Sequence, residues 1–361
     1  MNKLLYISHS GSLHGAEQVM LSSLRICVSC GCEVTVLIPK HAWQEGLADE
    51  IRHIGAHVVM MPYRSGGRGW LRTQIVRLYN LVSAVRLAVY CRKQKITKIY
   101  SNTSVTILGA QLAALTGLPH IWHIHEPIDS RYGWRDNQSP LYRHWMTAHK
   151  TQLIFISRQQ MEQWSNQLEV ELNGQVIYNP IRQLRDLSAK VNDVVCYGYV
   201  GSMDERKNIQ TLIDAFNLLH AANPDTRLLL CGAKNEEERN RLQHGDGVEV
   251  RLHTDLVDEV YDQLDVFVLP SFSEMMPLTV FEAMYKGLCV IQTCHSGMSE
   301  LCKDGQDCLI IDPTCDNLFH AMTRVLQSDL RSRLAANAAN KMRSANMNRM
   351  YQQQIEHLLC E

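Results

Sequence analysis

Two glutamates eight positions apart, Glu274 and Glu282, flank a proline in the run Leu269 to Ile291, LPSFSEMMPLTVFEAMYKGLCVI. Pro277 suits the first turn of a helix, where no backbone N–H is missed, and Gly287 suits its end. On that helix Leu278, Phe281, Glu282 and Tyr285 recur at i, i+3, i+4 and i+7, so a carboxylate shares a face with large apolar groups and needs a partner. The helix start, near Leu278 and Thr279, offers unpaired N–H groups to an anion, and carboxylates accept hydrogen bonds from hydroxyls. The combined preference is for a ligand both hydroxylated and phosphorylated, which a nucleotide sugar satisfies. Taken alone, the pair also reads as a solvated loop glutamate and an ordinary helix carboxylate.

Three further stretches carry candidate chemistry. In SHSGSLHGAEQV, Gly11 and Gly15 lie between a strand and a helix, where backbone can approach a phosphate or sugar; a plain strand-to-helix turn fits as well. In Ile121 to Glu126, IWHIHE, alternation puts His123 and His125 on one face of a strand. Paired histidines beside an acid suit zinc, but no third ligand stands at a diagnostic spacing, and satisfied core histidines remain an equal reading. In Val200 to Phe216, VGSMDERKNIQTLIDAF, a strand ends at Gly201, a charged loop follows, and a helix begins near Lys207. Cations here would neutralise a diphosphate leaving group, although Arg206 and Lys207 also read as a solvated loop pair.

The elements that must hold these residues alternate. Apolar runs at Leu4–Ile7, Val34–Ile38, Val58–Met61, Ile99–Tyr100, His120–Ile124 and Leu153–Ile156 are separated by helical patterns. After a break at Tyr178–Asp193 the alternation recurs at Val194–Val200, Leu228–Cys231, Val248–Leu252, Val266–Leu269, Cys289–Ile291 and Leu309–Ile311. This predicts an α/β fold of two doubly wound Rossmann-like domains facing across a cleft, with ligands beyond the carboxyl ends of the strands. The 361 residues, 45% apolar and 20% charged, suffice for two cores.

Twelve cysteines scattered through so long a chain favour free thiols. Cys27, Cys30 and Cys32 lack a second pair at zinc-finger spacing, and Cys27 and Cys30 are expected on the core side of a helix, so no metal is expected there. No apolar run is long enough to span a membrane, and the start MNKLLYISHS lacks the marks of a signal peptide, so the expected compartment is the cytoplasm.

Charge is unevenly spread: residues 1–180 carry 18 Lys and Arg against 11 Asp and Glu, and residues 181–361 carry 18 against 26. From Ile51 to His125 there is no acid, while Arg52, Arg64, Arg68, Arg72, Arg77, Arg86, Arg92, Lys93, Lys95 and Lys98 fall inside. Within it, after Gly66–Gly69, Trp70 to Cys91 reads as a helix with Leu71, Ile75, Leu78, Val82, Val85 and Val89 on one side. That side either packs on the core or faces an anionic membrane surface through the basic 52–98 region. No nucleic-acid motif accompanies the charge, so nucleic acid is not expected as a partner.

The stretch from Glu274 to Glu282, with Gly287 after it, resembles the Glu-x7-Glu signature of the retaining glycosyltransferases of family 4, the group 1 glycosyltransferases of GT-B fold. His14-Gly15-Ala16-Glu17 resembles that family's Gly-Gly-Ala-Glu, and Ser296–Glu300 and Asp304–Ile310 resemble two of its weaker turns. Four positions depart from the pattern: His14 replaces a Gly, Ser202 the usual Arg, Cys308 a Gly of the Asp304–Ile310 turn, and Met275 the usual Gly, where a side chain would narrow or reshape the sugar pocket.

The resemblance implies transfer of a sugar from a UDP- or GDP-linked donor to a hydroxyl of a saccharide or polyprenyl-linked saccharide, with retention, no cofactor and no metal. The setting it implies is bacterial surface polysaccharide assembly, in the cytoplasm or peripherally on the inner face of the plasma membrane. It gives Glu282 the ribose, Glu274 the sugar hydroxyls, Lys207 and the helix start near Leu278 the diphosphate, and His125 the reacting sugar. Gly15, Gly201, Ser202, Arg206, Met275, Met276, Pro277 and Thr279 complete the donor site, and His125, Glu274 and Lys207 are the catalytic candidates. Residues 1–178 become the acceptor-side domain, 179–193 a linker, 194–340 the nucleotide-sugar domain, and 341–361 a helix crossing back to the first domain. A nucleotide-sugar isomerase or hydrolase, or a non-catalytic nucleotide-sugar-binding subunit, are the alternatives.

Overall fold

Strand-forming runs, the central ones buried on both faces, are joined by helices into two parallel sheets in a computed structural model of the chain. The structure describes all residues except 1, 43–44, 65–69, 129–138, 149, 183, 186–193, 255 and 345, and leaves out the side chains of 42, 45, 70–73, 77 and 139 as well. The Gly66–Gly69 interruption, Arg68, the side chains of Arg72 and Arg77, and most of the 179–193 segment therefore lie outside the described residues. Packing divides the chain into one unit of residues 1–180 with 348–361 and another of residues 181–347.

The first unit runs β1 (Lys3–Ile7), α1 (Gly15–Ser29), β2 (Glu33–Pro39), α2 (Glu45–Ile54), β3 (His57–Met61), α3 (Trp70–Gln94), β4 (Lys98–Ser101), α4 (Leu108–Thr116), β5 (His120–Ile124), α5 (Ser139–Met146), β6 (Thr151–Phe155), α6 (Arg158–Leu168) and β7 (Gly174–Val176). Its strands lie in the order β3-β2-β1-β4-β5-β6-β7, with Leu4 opposite Val34 on one side and Lys98 on the other. The order reverses between β1 and β4, so the loops leaving those two strands diverge and open a crevice at their carboxyl ends. Leu5, Ile7, Leu37, Leu87 and Leu108 form one core cluster, and Trp122, Phe155, Trp164 and Leu168 belong to another.

The second unit runs β8 (Val195–Val200), α7 (Ile209–Ala222), β9 (Thr226–Ala233), α8 (Glu236–Leu242), β10 (Val248–Leu252), α9 (Val257–Tyr261), β11 (Val266–Leu269), α10 (Leu278–Lys286), β12 (Cys289–Thr293), β13 (Leu309–Ile311), α11 (Cys315–Arg324) and α12 (Ser328–Ser344). Here the order is β10-β9-β8-β11-β12-β13, reversing between β8 and β11. The chain then returns to the first unit through α13 (Met347–Ile355) and a final turn, Glu356–Cys360. Tyr351 Oη donates to the Val19 carbonyl at 3.3 Å and Asn2 Nδ2 to the Cys360 carbonyl at 2.9 Å.

Two local expectations need correction. Cys30 is exposed, not on the core side: α1 stops at Ser29, and Cys30 is its C-cap, followed by Gly31 at φ +79°. The helix expected at 341–361 begins inside α12, and α13 follows after a break where Asn346 takes a φ of +46°.

Candidate functional site

In the second unit, the loop from Pro270 to Pro277 is fastened along its length. Asn208 Nδ2 donates to the carbonyls of Pro270 and Pro313, at 3.1 and 3.2 Å. Thr293 Oγ1 donates to the Ser271 carbonyl at 2.7 Å, and the Phe272 N–H to the Arg206 carbonyl at 3.0 Å. The Glu274 N–H donates to His295 O and Glu274 O accepts from Gly297 N–H, each at 3.0 Å. A loop so held can aim a side chain with little left to order on binding. The carboxylate it aims, Glu274, is paired with Lys207, and both side chains are almost buried. The sequence reading gives these two separate tasks; the fold puts them in contact.

Lys207 closes a short turn, Glu205–Lys207, ahead of α7. That turn follows β8, whose end needs glycine: Gly201 has φ +147°, and a Cβ there would lie 2.8 Å from Tyr199 Oη. Ser202, standing where the family's arginine is usual, donates from Oγ to Asp204 Oδ2 at 3.0 Å. Arg206, the candidate replacement cation, has its Nε 3.7 Å from Asp204 Oδ1. A neighbouring acid therefore already offsets part of its charge.

Helix α10 carries the second acid. Its N-cap is Pro277, with no side chain bonded to the end and no acid in the first turn, and its C-cap is Gly287 at φ +78°. Met275, Met276 and Pro277 are buried, and Leu278 and Thr279 are half-buried. Glu282 is buried at 7% exposure and accepts from Tyr261 Oη at 2.7 Å. Burial pushes its carboxyl up to about 6, against the opposing pull of the Tyr261 hydrogen bond. One turn on, buried Lys286 binds Asp258 at 2.9 Å and Asp262 at 2.6 Å, so α10 is anchored at the end away from Glu274. Nothing in the Glu-x7-Glu spacing announces Lys286; its signal is a lysine inside an otherwise apolar helix face.

In the first unit the polar groups gather where β1, β4 and β5 end, on either side of the reversal in strand order. His125, one residue past β5, has its ring 4.1 Å from that of His123, so the two do share a face. Burial drives His125 down to about 4, despite adjacent Glu126, so its imidazole is neutral at neutral pH. Tyr100 Oη is bonded to His123 Nδ1. The Glu126 carboxylate accepts from Thr103 Oγ1, Ser104 N–H at 2.9 Å, Ser104 Oγ at 2.6 Å and the His125 backbone N–H at 3.3 Å.

Gly15 opens α1 and is exposed, with His14 as the N-cap. The sequence reading missed what that turn positions, which is Glu17. Its side chain is fully buried, 3.4 Å from His9 Nδ1 and 3.5 Å from Ser8 Oγ. Burial raises its carboxyl pKa, with His9 opposing. The available signal was an acid two residues into a helix, after a glycine-containing turn. Among the described residues, Glu17 Oε2, Asn102 Oδ1, His123 Nε2 and His125 Nε2 are buried with no hydrogen-bond partner. Buried polar atoms are ordinarily satisfied, so this cluster is chemically prepared to receive donors and acceptors from a ligand. Separately, Cys294, His295 and Asp312 bring three potential metal-ligand atoms within 4.8 Å of one another.

Comparison with known proteins agrees with this anatomy. Residues 194–328 match the family described as glycosyl transferases group 1, and residues 14–179 match the glycosyl transferase 4-like domain. The chain belongs to the group 1 glycosyltransferases and has their two-domain α/β fold, GT-B. It is 25% identical over 292 residues to the UDP-Gal:alpha-D-GlcNAc-diphosphoundecaprenol alpha-1,3-galactosyltransferase of Escherichia coli, covering 73% of this chain and 75% of that one. It is 31% identical over 137 residues to sucrose synthase 2 of rice, a match spanning 38% of this chain but 15% of that much longer one. Among solved structures, Anabaena HepE in complex with UDP superposes with a TM-score of 0.79 at 17% identity, over 99% of this chain and 100% of the other. The lipopolysaccharide glycosyltransferase WaaG gives 0.74 at 14% identity, over 98% and 99%. At these identities the structural likeness is one of fold.

Proposed function

We propose that this protein is a retaining glycosyltransferase that moves a hexosyl group from a UDP- or GDP-linked donor to a hydroxyl of a saccharide or polyprenyl-linked saccharide in bacterial surface polysaccharide assembly. The observation that carries this reading is the Lys207–Glu274 pair at the end of β11, followed by buried Glu282 on the next helix. Opposite charges held together offer a diphosphate a cation and a sugar an acceptor carboxylate within one site. The Escherichia coli relative's UDP-galactose donor and lipid-linked acceptor, and the UDP in HepE, favour the same class of substrates.

In this reading Glu282 accepts the ribose hydroxyls and Glu274 those of the donor sugar. Lys207 and the N–H groups at Leu278 and Thr279 neutralise the diphosphate as the bond from C1 to its oxygen breaks. Gly201, Ser202, Arg206 and the backbone from Met275 to Pro277 line the donor, and Gly15 leaves room for it. Neutral His125 hydrogen-bonds the reacting sugar without adding a second cation. The acceptor oxygen bonds to C1 on the face the diphosphate leaves, and its proton passes to the leaving phosphate. No metal and no cofactor take part.

Transfer assays with a panel of nucleotide sugars test this. Glu274→Gln and Lys207→Ala should each lower kcat at least about a hundredfold, the loss expected for one charge-stabilising group, with unchanged circular dichroism. Full transfer in either variant ends the assignment. Donor turnover without acceptor points instead to a hydrolase or isomerase, and nucleotide binding without any turnover to a non-catalytic subunit.

The same reading puts the protein peripherally on the cytoplasmic face of the membrane. Support comes from α3, whose Ile75, Leu78, Val82, Val85 and Val89 are all exposed, beside Arg86, Arg92 and Lys93, in a stretch without acids. Among the described residues no helix is long and apolar enough to cross a bilayer. An anionic lipid surface is the occupant whose charge and apolarity match that face.

A further inference from the structure

Three donor side chains of different chemistry converge just beyond β12 and β13. These strands run parallel with Thr293 opposite Ile311, and the Cys294 N–H donates to the Ile311 carbonyl at 2.9 Å. Cys294 and Asp312 therefore leave the sheet side by side, on backbone that the sheet itself holds. The Cys294 thiol donates to Asp312 Oδ1 at 3.2 Å, and a ring nitrogen of His295 completes a group whose atoms all lie within 4.8 Å of one another.

We propose that Cys294, His295 and Asp312 form a binding site for a divalent cation of the zinc class, with a fourth position left for water or an external ligand. Sulfur and imidazole nitrogen select borderline-soft ions over magnesium or calcium, and the carboxylate completes a donor set common for zinc. With Zn–S near 2.3 Å and Zn–N near 2.0 Å, a tetrahedral ion holds neighbouring donor atoms roughly 3.5 Å apart. The thiol now bonds to the Asp312 carboxylate, a contact that an ion shared by the two groups would replace. On binding, the sulfur–hydrogen bond breaks, a metal–sulfur bond forms, and one proton is released to solvent per ion; imidazole and carboxylate contribute lone pairs only.

The site has a mechanical connection to the donor loop. His295 O holds the Glu274 N–H, Glu274 O holds the Gly297 N–H, and Glu274 pairs with Ser296 as a parallel bridge. An ion gripping Cys294 and His295 clamps the segment on which the Glu274 backbone rests. It acts on loop order, and touches no group assigned to sugar transfer.

Titrating the metal-stripped full-length protein with cobalt(II) tests the site. The expected result is a thiolate-to-cobalt charge-transfer band with one proton released per ion at neutral pH. Cys294→Ser should abolish that band, and His295→Gln and Asp312→Asn should each weaken binding by about tenfold or more, the loss that even an outer-shell substitution causes. Cys30→Ser, removing an exposed thiol of the other unit, should leave the titration unchanged. A band undiminished in Cys294→Ser, or wild-type affinity in both other variants, overturns the site. Circular dichroism checks that each variant folds. In a second measurement zinc should slow amide hydrogen exchange at Glu274 and Gly297 in the wild type and not in Cys294→Ser; unchanged exchange with the ion bound overturns the link to the loop. Neither measurement uses a nucleotide or acceptor, so failure here is distinct from failure of the transferase reading.

Discussion

Burial keeps the Glu282 carboxyl protonated up to about pH 6, and only the ionised form offers all its oxygen lone pairs to ribose hydroxyls. Below about pH 6 donor binding therefore requires a proton to leave. The apparent Kd of a nucleotide sugar, whose phosphate diesters do not titrate in this range, should rise about tenfold between pH 7 and pH 5. Glu282→Gln should bind more weakly throughout and lose the slope; a flat wild-type profile, read by calorimetry, removes Glu282 from the nucleotide. The spacing of Glu274 and Glu282 was legible because both acids sit on one short stretch. Glu274's partner was not, since Lys207 lies 67 positions away and only the order of strands brings it near. Glu17 escaped for a related reason: Ser8 and His9, the side chains it meets, come from the loop after β1, which no pattern along α1 records.

Helix α3 marks the limit of periodicity. Its apolar set from Ile75 to Val89 has the spacing of a core face, yet that side is exposed. The buried side instead carries Asn80, Ser83, Ala84, Leu87 and Cys91. Asn80 and Ser83 are tolerated there because edge backbone satisfies them. Asn80 bonds both polar groups of Arg64, at 3.0 and 2.8 Å, and Ser83 Oγ donates to the Pro62 carbonyl. Hydrophobic pattern alone could not tell the two sides apart, because the polar atoms on the buried one find their partners outside the helix. The exposed side has a measurable consequence. The wild type should cosediment with vesicles containing anionic lipid, less so as salt rises. Leu78→Ser with Val85→Ser should weaken that partition at least about tenfold, at ~1 kcal/mol or more of lost apolar burial per side chain. Folding stability should hold within about 0.5 kcal/mol, as for other surface changes. A wild type that ignores anionic vesicles ends the membrane reading.

Alternation of apolar runs with helical patterns was enough to foresee two α/β sheets, since strands buried on both faces are nearly continuous in hydrophobicity. It passed over β7, a three-residue edge strand whose Gly-Gln-Val carries no apolar run, whereas equally short β13, Leu-Ile-Ile, stood out. It also could not foresee that the two units would answer acid in opposite ways. In the first unit, burial lowers His120 to about 3 and His125 to about 4, and lowers His123 as well. The unfolded chain then binds protons below pH 6.5 that the folded unit refuses, so stability is full at neutral pH and falls as pH drops. At pH 5.5 each histidine costs about 1.4 kcal/mol relative to neutrality. Glu17, raised by burial, offsets part of this. In the second unit Glu282 has the contrary sign: its raised folded pKa makes that unit more stable below pH 4.5 than above pH 6, by ~2 kcal/mol. Scanning calorimetry from pH 7.5 to 5.5 should therefore resolve two transitions, of which the one belonging to the unit built on β1 to β7 falls as pH drops and the other does not. His120→Gln should flatten the slope of that falling transition by about a third, one of the three histidines with lowered pKa being gone. Two transitions that shift together with pH, or an unchanged slope in His120→Gln, would show that these histidines do not govern the acid response of the fold.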